Sequence, residues 1–394
     1  MSPVSLSRRD LLRGAVATTV VGPYVSASPG VVRPPGGSEM LKIGLVGCGG
    51  RGTGAAVNAL RADPNVKLWA LADAFADHLD TCDVVLLCTS PHFRPLHLAA
   101  AVDAGRHLFV EKPIATDGPG VRSVMESCER ARAKGLSVVS GLCYRYEHKK
   151  RETLQRIHDG ALGDIVAMQC MYNTGALWHR GRKPEWSEME YQMRNWLYFH
   201  WLSGDMIAEQ HIHSLDKLAW AMGDRYPVRC VSSGGRVVRT EPEFGNVYDH
   251  FNTVYEWENG VKGFSACRQW AGNVATEVSD WIFGTRGRSN IQEADIDAGP
   301  AWRWRWRSDE PDDMYQNEHD ELFASIRKGA PIANGEYMCR TTMMALMGRM
   351  AAYTGQVITW EQAWNSQESL APATYEWGPI ETPPVARPGI TQFT

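Results

Sequence analysis

The sequence lacks an excess of charge of either sign, an uninterrupted apolar run long enough to span a bilayer, and any pair of cysteines in C-x-x-C spacing. Its 41 basic and 45 acidic residues give a formal net charge of -4, which offers no field for nucleic acid or anionic membranes. The nine cysteines are scattered singly, so neither a zinc site nor a disulfide framework is predicted. We therefore expect a folded protein that binds a small molecule.

Length and composition indicate two domains. At 394 residues the chain exceeds one average globular domain, and with 44% hydrophobic residues it can bury a sizeable core. Its 15 tryptophans are numerous. Indole faces suit sugar rings, but tryptophan also fills cores and oligomer interfaces, so both interpretations stay open.

The first 39 residues have the pattern of an export segment. Arg8 and Arg9 precede a moderately apolar stretch over 14–27, which is typical of a twin-arginine signal. Residues 25–27 read Val-Ser-Ala, a small-residue cleavage pattern, and a Pro- and Gly-rich linker follows to residue 39. We therefore expect a periplasmic or otherwise exported protein without stable membrane insertion after cleavage. An uncleaved anchor or a chance arginine pair is the alternative.

A glycine-rich motif follows the first predicted strand. Residues 41–46 are apolar, residues 47–52 read G-C-G-G-R-G, and residues 53–62 have helical periodicity. This strand–turn–helix context is the one that a dinucleotide-binding G-x-G-x-x-G requires. A pyrophosphate would lie on the helix N-terminus, where free N–H groups and the helix dipole favour negative charge. The predicted cofactor-binding residues here are Gly47, Gly49, Gly50, Arg51 and Gly52.

An acidic residue ends the second predicted strand, over 66–72. Asp73 stands 21 residues beyond Gly52, where a carboxylate accepts hydrogen bonds from the adenosine ribose. No arginine follows closely to receive a 2′-phosphate, so the predicted cofactor is NAD rather than NADP. A surface aspartate at a strand end is the alternative.

Strands and helices then alternate to residue 140. Strands over 84–89, 107–110 and 136–140 are separated by helices over 95–104 and 117–134, which predicts a parallel, doubly wound α/β sheet. Ligands bind beyond the carboxyl ends of such strands. Four further residues fall there and are predicted to contact the cofactor: Ser90, His92, Glu111 and Lys112.

These motifs resemble the glucose–fructose oxidoreductase / inositol dehydrogenase / MocA family of nucleotide-dependent sugar enzymes. The similarity rests on the glycine motif, the turn Thr89-Ser90-Pro91-His92, the Glu111-Lys112-Pro113 strand end and a later helix with Glu209 and His213, and it covers about residues 41–350. It implies an NAD-binding Rossmann domain over 40–145 and an α+β domain over 146–370. It also implies that Lys112 and His213 work at the substrate carbon.

The sequence departs from this family between the second and third strands. Only residues 74–83 connect them, whereas family members carry a longer insert with another strand and helix. A parallel crossover normally takes a dozen residues or more. We therefore expect the Rossmann domain to lack one outer strand, with its second strand forming an exposed edge.

The second domain shows long alternating strands, at 165–172, 252–257, 263–270 and 278–283. Such alternation predicts a large, mostly antiparallel sheet with one open face. In the resembling family that face builds dimers or tetramers, so a homo-oligomer is expected. Residues 302–307, Trp-Arg-Trp-Arg-Trp-Arg, are predicted to add a strand, and residues 371–394 an extended tail.

A predicted helix over 204–222 carries the candidate catalytic groups. Spacings of four and three residues place Glu209, His213 and Asp216 on one face. Ile212, Leu215, Ala219 and Met222 fall on the apolar face. We expect His213 to be the general base, with Glu209 as its orienting or substrate-binding partner and Lys112 polarising the substrate oxygen. Relatives commonly have aspartate where this chain has Glu209.

A metal site is not expected on this helix, because His211 and His213 are two residues apart and point in different directions. A structural role for His213, bonded to Asp216, is the alternative to catalysis. The predicted substrate-binding residues are Tyr144, Arg145, Asp216, His179 and Trp196.

Three functions are compatible with these patterns. The first is NAD-dependent oxidation or reduction of a secondary hydroxyl on a sugar, glycoside or cyclitol. The second is NAD-dependent glycoside cleavage by transient oxidation and elimination, without net redox change. The third is a non-catalytic sugar-binding homologue.

Overall fold

The computed structural model describes residues 39–72 and 81–394, which form two β-sheets and the helices around them. The strands of the first sheet are β1 (Leu41–Val46), β2 (Val66–Ala72), β3 (Val84–Leu87), β4 (His107–Val110) and β5 (Val138–Ser140). Those of the second are β6 (Ile165–Thr174), β7 (Arg229–Gly235), β8 (His250–Glu256), β9 (Lys262–Gln269), β10 (Glu277–Gly284), β11 (Gly287–Asn290), β12 (Asp295–Asp297), β13 (Arg303–Arg305) and β14 (Ile358–Thr359).

The helices lie around both sheets. In chain order they are α1 (Gly50–Ala62), α2 (Arg94–Asp103), α3 (Gly118–Ala133), α4 (His148–His158), α5 (Glu188–Arg194), α6 (His200–Ser203), α7 (Met206–Glu209), α8 (Ile212–Ala221), α9 (Met314–Lys328), α10 (Gly335–Thr354) and α11 (Trp360–Asn365). None of the helices within the described ranges is long and apolar enough to cross a membrane.

The first sheet is the predicted parallel Rossmann sheet, with five strands in the order β2-β1-β3-β4-β5. Strands β3 and β4 are buried at every residue, as expected for apolar runs covered on both faces. Among the described residues, β2 pairs only with β1, and its Trp69 is 47% exposed. The short connection therefore leaves β2 at the sheet edge. Residues 73–80, including Asp73, lie outside the described residues, as does the predicted export signal.

The second sheet has nine strands in the order β13-β12-β11-β10-β6-β9-β8-β7-β14, and only the β6–β9 pair is parallel. Its mostly antiparallel pairing confirms the prediction. Burial alternates along β9, so one face of the sheet is covered, and α8 and α10 pack on it. The other face exposes Val231 and Phe264.

Residues 314–334 pack against the Rossmann sheet. Sequence analysis had assigned these residues to the second domain. Helix α9 packs on α1, and Arg327 in α9 pairs with Asp63 at 2.6 Å. Beyond it, Val138 of β5 donates to the carbonyl of Ile332 at 2.7 Å. The apolar helix α10 then runs between the two sheets, contacting α3 and β7. The nucleotide domain is thus built from two separate parts of the chain.

The predicted single helix over 204–222 is wrong, because the chain forms two helices. Asp205 has a left-handed φ of 70°, and its buried carboxylate accepts from the N–H of Met206, which starts α7. Between α7 and α8, the N–H of His211 donates to the carbonyl of Met206, five residues earlier, at 3.1 Å. This wide turn rotates α8 relative to α7. Glu209, His213 and Asp216 therefore do not share one face.

The predicted tail, residues 371–394, packs against the rest of the protein. Within the predicted tail, the hydroxyl of Thr382 bonds Gln192 at 2.9 Å, and the carbonyl of Ala386 accepts from Tyr248 at 2.9 Å. The predicted tryptophan–arginine strand forms β13, the edge of the second sheet. Its Trp304 packs on the core, and Arg156 lies 4.7 Å from that ring. These contacts favour packing over sugar stacking for Trp304.

Candidate active site

The glycine-rich turn between β1 and α1 has no room for side chains at two positions. Gly47 has a φ of +96°, and a Cβ there would stand 2.5 Å from the backbone carbon of Cys88. A Cβ at Gly52 would stand 1.8 Å from the carbonyl oxygen of Gly47. These glycines allow the tight turn and the close helix–strand packing that the motif predicts.

The same turn is open where a pyrophosphate would lie. Among residues 39–72 and 81–394, Gly49 and Gly50 are exposed, and a Cβ at either would meet nothing within 4 Å. No side chain of these residues caps the N-terminus of α1, and its first turn contains no acidic residue. Its free N–H groups and helix dipole therefore remain available to an anion. The residues present fit the diphosphate of NAD.

Arg51 was predicted to contact the cofactor, but its side chain is engaged inside the protein. The guanidinium donates to the carboxylate of Glu111 and, at 2.7 Å, to that of Glu318 in α9. Burial acts to raise the pKa of Glu111, but the charges of Arg51 and Lys112 bring it below its ordinary value. Burial raises the pKa of Glu318 well above its ordinary value. Arg51 therefore joins the glycine turn to the end of β4 and to α9.

The loop after β3 carries the next two predicted cofactor residues. The Oγ of Ser90 is buried and has no hydrogen-bond partner among the described residues. His92 approaches the hydroxyl of Tyr375, from the tail, with its Nε2 at 2.9 Å, and burial lowers the pKa of His92 to about 4. Buried Arg94 donates to the carbonyl of Pro113, which ties this loop to the end of β4.

Lys112 and Glu209 meet at the carboxyl end of β4. The Nζ of Lys112 lies 3.1 Å from Oε1 of Glu209 and also donates to the Glu209 backbone carbonyl. Their side chains are only 15% and 11% exposed. The other carboxylate oxygen of Glu209, Oε2, is buried without a hydrogen-bond partner in the described part of the chain. An ammonium and a carboxylate therefore share a partly desolvated position beside the Rossmann sheet.

His213 lies near the same position, at the start of α8. Its ring is half-buried and stands 5.3 Å from the Tyr144 ring, at an interplanar angle of 88°. Within 39–72 and 81–394, its Nδ1 has no hydrogen-bond partner. Burial, followed by the positive charges of Lys112 and Lys217, holds the pKa of His213 well below its ordinary value. The imidazole is therefore in the neutral form that a general base requires, and the lowered pKa makes it a weaker base than an exposed histidine.

His211 turns away from this group. Its Nε2 lies 2.6 Å from the hydroxyl of Ser265 on β9, and burial lowers its pKa to about 3. His211 and His213 thus contact different elements, as expected from their spacing.

Arg145 and Asp216, both predicted to bind substrate, form a buried ion pair with each other. Arg145 is 8% exposed and Asp216 is 1% exposed. The Arg145 guanidinium donates to Asp216 at 2.8 Å and to Asp224 at 2.6 Å, and its carbon lies 4.0 Å from the Tyr337 ring centroid. Thr341 of α10 donates to the same Asp216 carboxylate at 3.0 Å. These contacts hold both side chains at the domain junction, and their roles at the substrate stay predictions.

Replacing Arg145 with methionine is expected to destabilise the fold by about 3–5 kcal/mol, because it leaves the Asp216 carboxylate buried without its cation. Urea unfolding measures this change. Asp224→Asn is the matched control, since Asp224 is the 44% exposed partner of the same guanidinium. Its loss is expected to cost within about 1 kcal/mol. A stable R145M protein with an increased KM would support the predicted role of Arg145 in substrate binding.

The remaining predicted substrate residues lie in different places. Tyr144 contacts His213, as described above. His179 and Trp196 belong to an aromatic cluster formed by residues 178–202 and the tail. There Nε2 of His179 lies 3.1 Å from the Tyr191 hydroxyl, and Trp196 lies 6.3 Å from the exposed Trp178 ring. The structure does not bring these two residues into contact with Lys112, Glu209 or His213.

Two residues at the site were missed by sequence analysis. Tyr172 on β6 lies 6.2 Å from the His211 ring, and burial, with Tyr144 and Glu209, raises its pKa to about 12. Glu318 has no exposed surface although it is a carboxylate. A glutamate in the helical stripe that contains Leu322 and Ile326 is the signal that would have identified it.

Comparison with known proteins agrees with this architecture. Residues 51–141 match the family model described as oxidoreductase family, NAD-binding Rossmann fold, and residues 151–289 match that of the GFO/IDH/MocA C-terminal domain. The 2,7-anhydro-N-acetylneuraminate hydratase of Escherichia coli K12 is 23% identical over 178 residues, which is 45% of this chain and 43% of that protein. Inositol 2-dehydrogenase 3 of Saccharopolyspora erythraea is 27% identical over 189 residues, 48% of each chain.

The match to these two curated relatives spans less than half of their length. A solved structure of levoglucosan dehydrogenase in complex with NADH and levoglucosan superimposes with a TM-score of 0.67 at 15% identity, covering 82% of this chain and 99% of that one. At that identity the likeness shows the fold. The two family models together span more than half of the 394 residues. The chain therefore belongs to the Gfo/Idh/MocA family of NAD-binding oxidoreductases.

Proposed function

We propose that this protein is an NAD-dependent oxidoreductase that acts on a secondary hydroxyl of a sugar, glycoside or cyclitol. The observation that carries the proposal is the grouping of Lys112, Glu209 and neutral His213 at the end of β4, beside an open glycine turn. Such a group provides a cation, a carboxylate and a proton acceptor at the sheet edge where Rossmann ligands bind.

Each residue of the site has a separate role in oxidising an alcohol. His213, neutral because of its surroundings, takes the hydroxyl proton. Lys112 stabilises the negative charge that develops on the oxygen, and its own position is fixed by Glu209. Bound NAD supplies the hydride acceptor.

Unpartnered polar atoms support a polyol as the substrate. Within the described residues, Oε2 of Glu209 and Nδ1 of His213 are buried without hydrogen bonds. A buried polar atom without a partner costs free energy, which a ligand hydroxyl group can recover. A sugar or cyclitol, with hydroxyl groups on several adjacent ring carbons, offers several donors to such a site.

The first experiment is to denature the purified protein and identify any released nucleotide by mass spectrometry. We expect NAD, together with sugar- or cyclitol-dependent reduction of NAD in a substrate panel. A protein that contains no nucleotide and binds no added NAD by calorimetry would refute the oxidoreductase proposal. Sugar binding under those conditions would favour the non-catalytic alternative.

A redox-neutral reaction is the second candidate. One similar protein is a hydratase, whose named reaction involves no net oxidation. The same three residues can serve a transient oxidation followed by elimination. Release of a leaving group without accumulation of NADH distinguishes this candidate from a dehydrogenase.

We also propose that the protein is exported by the twin-arginine route, on the basis of Arg8, Arg9 and the apolar stretch that follows. Replacing both arginines with lysine is expected to retain the protein in the cytosol, as measured by cell fractionation. Unchanged export would refute this route.

A homo-oligomer formed through the open face of the second sheet is a further part of the proposal. Val231 and Phe264 are 47% and 48% exposed there and line a hollow of about 580 Å³. Contiguous exposed apolar surface favours association. A monomeric mass by light scattering would contradict it.

A further inference from the structure

Lys217 is a fully buried lysine on the same side of α8 as His213. The two residues are four apart, so their side chains lie one above the other on the helix. The Nζ of Lys217 lies 2.5 Å from Oδ2 of Asp280 on β10 and donates to Oε1 of Gln292 at 2.8 Å. Asp280 is fully buried as well. An ion pair therefore lies inside the second domain, one helical turn from the candidate base.

Tyr144 connects this ion pair to His213. The Lys217 ammonium lies 4.1 Å from the centroid of the Tyr144 ring. The His213 ring meets the same Tyr144 ring nearly at a right angle, 5.3 Å away. A cation near the tyrosine ring and an edge-to-face ring contact are both attractive arrangements. Lys217, Tyr144 and His213 thus form a continuous contact chain that ends at the site.

The fold has little need of this ion pair. Removing two charges from water into a protein interior usually costs as much as their attraction recovers, and apolar replacements are often equally stable. Residues around Lys217, such as Ile212 and Leu218, already bury the helix against the sheet. A role at the neighbouring site accounts for a lysine at this position better than a role in stability does.

We propose that Lys217, held by Asp280, is a positioning residue that fixes the Tyr144 ring against His213. This inference rests on the proposed function for its catalytic consequence, but its effect on His213 is independent of the substrate. Lys217 acts through Tyr144 and through its charge.

The charges around His213 determine in which direction the pKa of His213 changes when Lys217 is replaced. The groups that act on it are Lys112 beyond β4, Arg51 on α1, Lys217 on its own helix, and the Tyr144 ring. Glu209 on α7 pairs with Lys112 and also acts on Tyr172 of β6. The positive charges of Lys112, Lys217 and Arg51 all lower the pKa of His213. Removing Lys217 together with Asp280 removes one of these cations without leaving a buried, unpaired carboxylate. Because Lys217, and not Asp280, is the member of the pair whose charge acts on His213, the pKa of His213 is expected to rise.

The test uses the double variant K217M/D280N in the full-length protein. The titration of His213 is followed by NMR of the histidine Cε1–H signals, assigned by comparison with His213→Gln. We expect the midpoint to rise by about one pH unit relative to wild type. We also expect kcat to fall about tenfold or more while KM changes less than twofold, with the acid limb of the kcat/KM profile moving to higher pH.

The matched control is R327M/D63N, which neutralises a different ion pair of 2.6 Å at the far end of α1. It is expected to change neither the His213 midpoint nor kcat. A second comparison uses Tyr144: Y144L, which removes the ring, is expected to have a lower kcat than Y144F, which retains it. This comparison decides the question if K217M/D280N does not fold.

Two outcomes overturn the proposal: an unchanged His213 midpoint in folded K217M/D280N, or equal kcat values for Y144L and Y144F. A raised midpoint in a protein without turnover on any sugar would instead support the Lys217 assignment and refute the proposed function. The two failures are therefore distinguishable.

Discussion

The Lys112→Ala variant is expected to bind NAD and lose about 10³- to 10⁴-fold in kcat. Its ammonium lies 3.1 Å from the Glu209 carboxylate in a site that is largely closed to water, where a fixed charge acts more strongly than in solution. The variant removes the charge that stabilises the developing oxyanion. It also removes a cation that lowers the pKa of His213, so the acid limb of the pH profile should move to higher pH.

Stopped-flow or steady-state NADH formation measures the loss, and mass spectrometry of released nucleotide checks that NAD remains bound. Lys262→Ala is the matched control, because Lys262 also pairs with a carboxylate, Glu256 at 2.6 Å, but is 47% exposed on the surface. It should retain wild-type kcat. Wild-type rates in K112A would remove Lys112 from the mechanism.

The nucleotide domain was predictable because its signals are local. Apolar runs locate β1, β3 and β4 within one or two residues of the observed strands. The glycine motif and the Glu111-Lys112-Pro113 strand end need only their immediate neighbours to be recognised. Even the edge position of β2 follows from a local feature, since ten residues are too few for another strand and helix.

The partners of the candidate site could not be predicted in the same way. Periodicity correctly buries Ile212, Leu215 and Ala219, but it assumes an uninterrupted helix. The wide turn at His211 depends on contacts with Ser265 and Cys170, which are distant in sequence. Spacing alone therefore gave Asp216 a place beside His213, whereas Asp216 pairs with Arg145.

The sequence does not indicate which surfaces of the two domains pack against each other. Helix α9 has an ordinary amphipathic pattern, and nothing in residues 314–328 says that it packs on α1 of the other domain. Only after that packing is known does Glu318 become the partner of Arg51. The predicted cofactor residues were found from one motif at a time, while the charges that surround them come from three separate regions of the chain.

Gly49→Ala is expected to weaken NAD binding by about tenfold or more without destabilising the protein. The backbone of Gly49, at φ -68° and ψ -173°, suits any residue, and a Cβ there would meet no atom of the described residues within 4 Å. Stability should therefore stay the same or rise by about 0.4–1 kcal/mol, because alanine restricts the unfolded chain. The added methyl group instead occupies the space above the α1 N-terminus that fits a pyrophosphate.

Gly52→Ala provides the contrast within the same turn. Its Cβ would overlap the Gly47 carbonyl oxygen at 1.8 Å, so this variant should lose at least about 1–3 kcal/mol of stability. Calorimetric NAD titration of both variants measures the change in NAD affinity, and thermal unfolding measures the change in stability. Together they show whether each glycine leaves room for the ligand or for the packing of the turn. If G49A binds NAD as tightly as wild type, the open space at Gly49 does not receive the diphosphate. The cofactor would then have to lie elsewhere on the sheet edge, away from the N-terminus of α1.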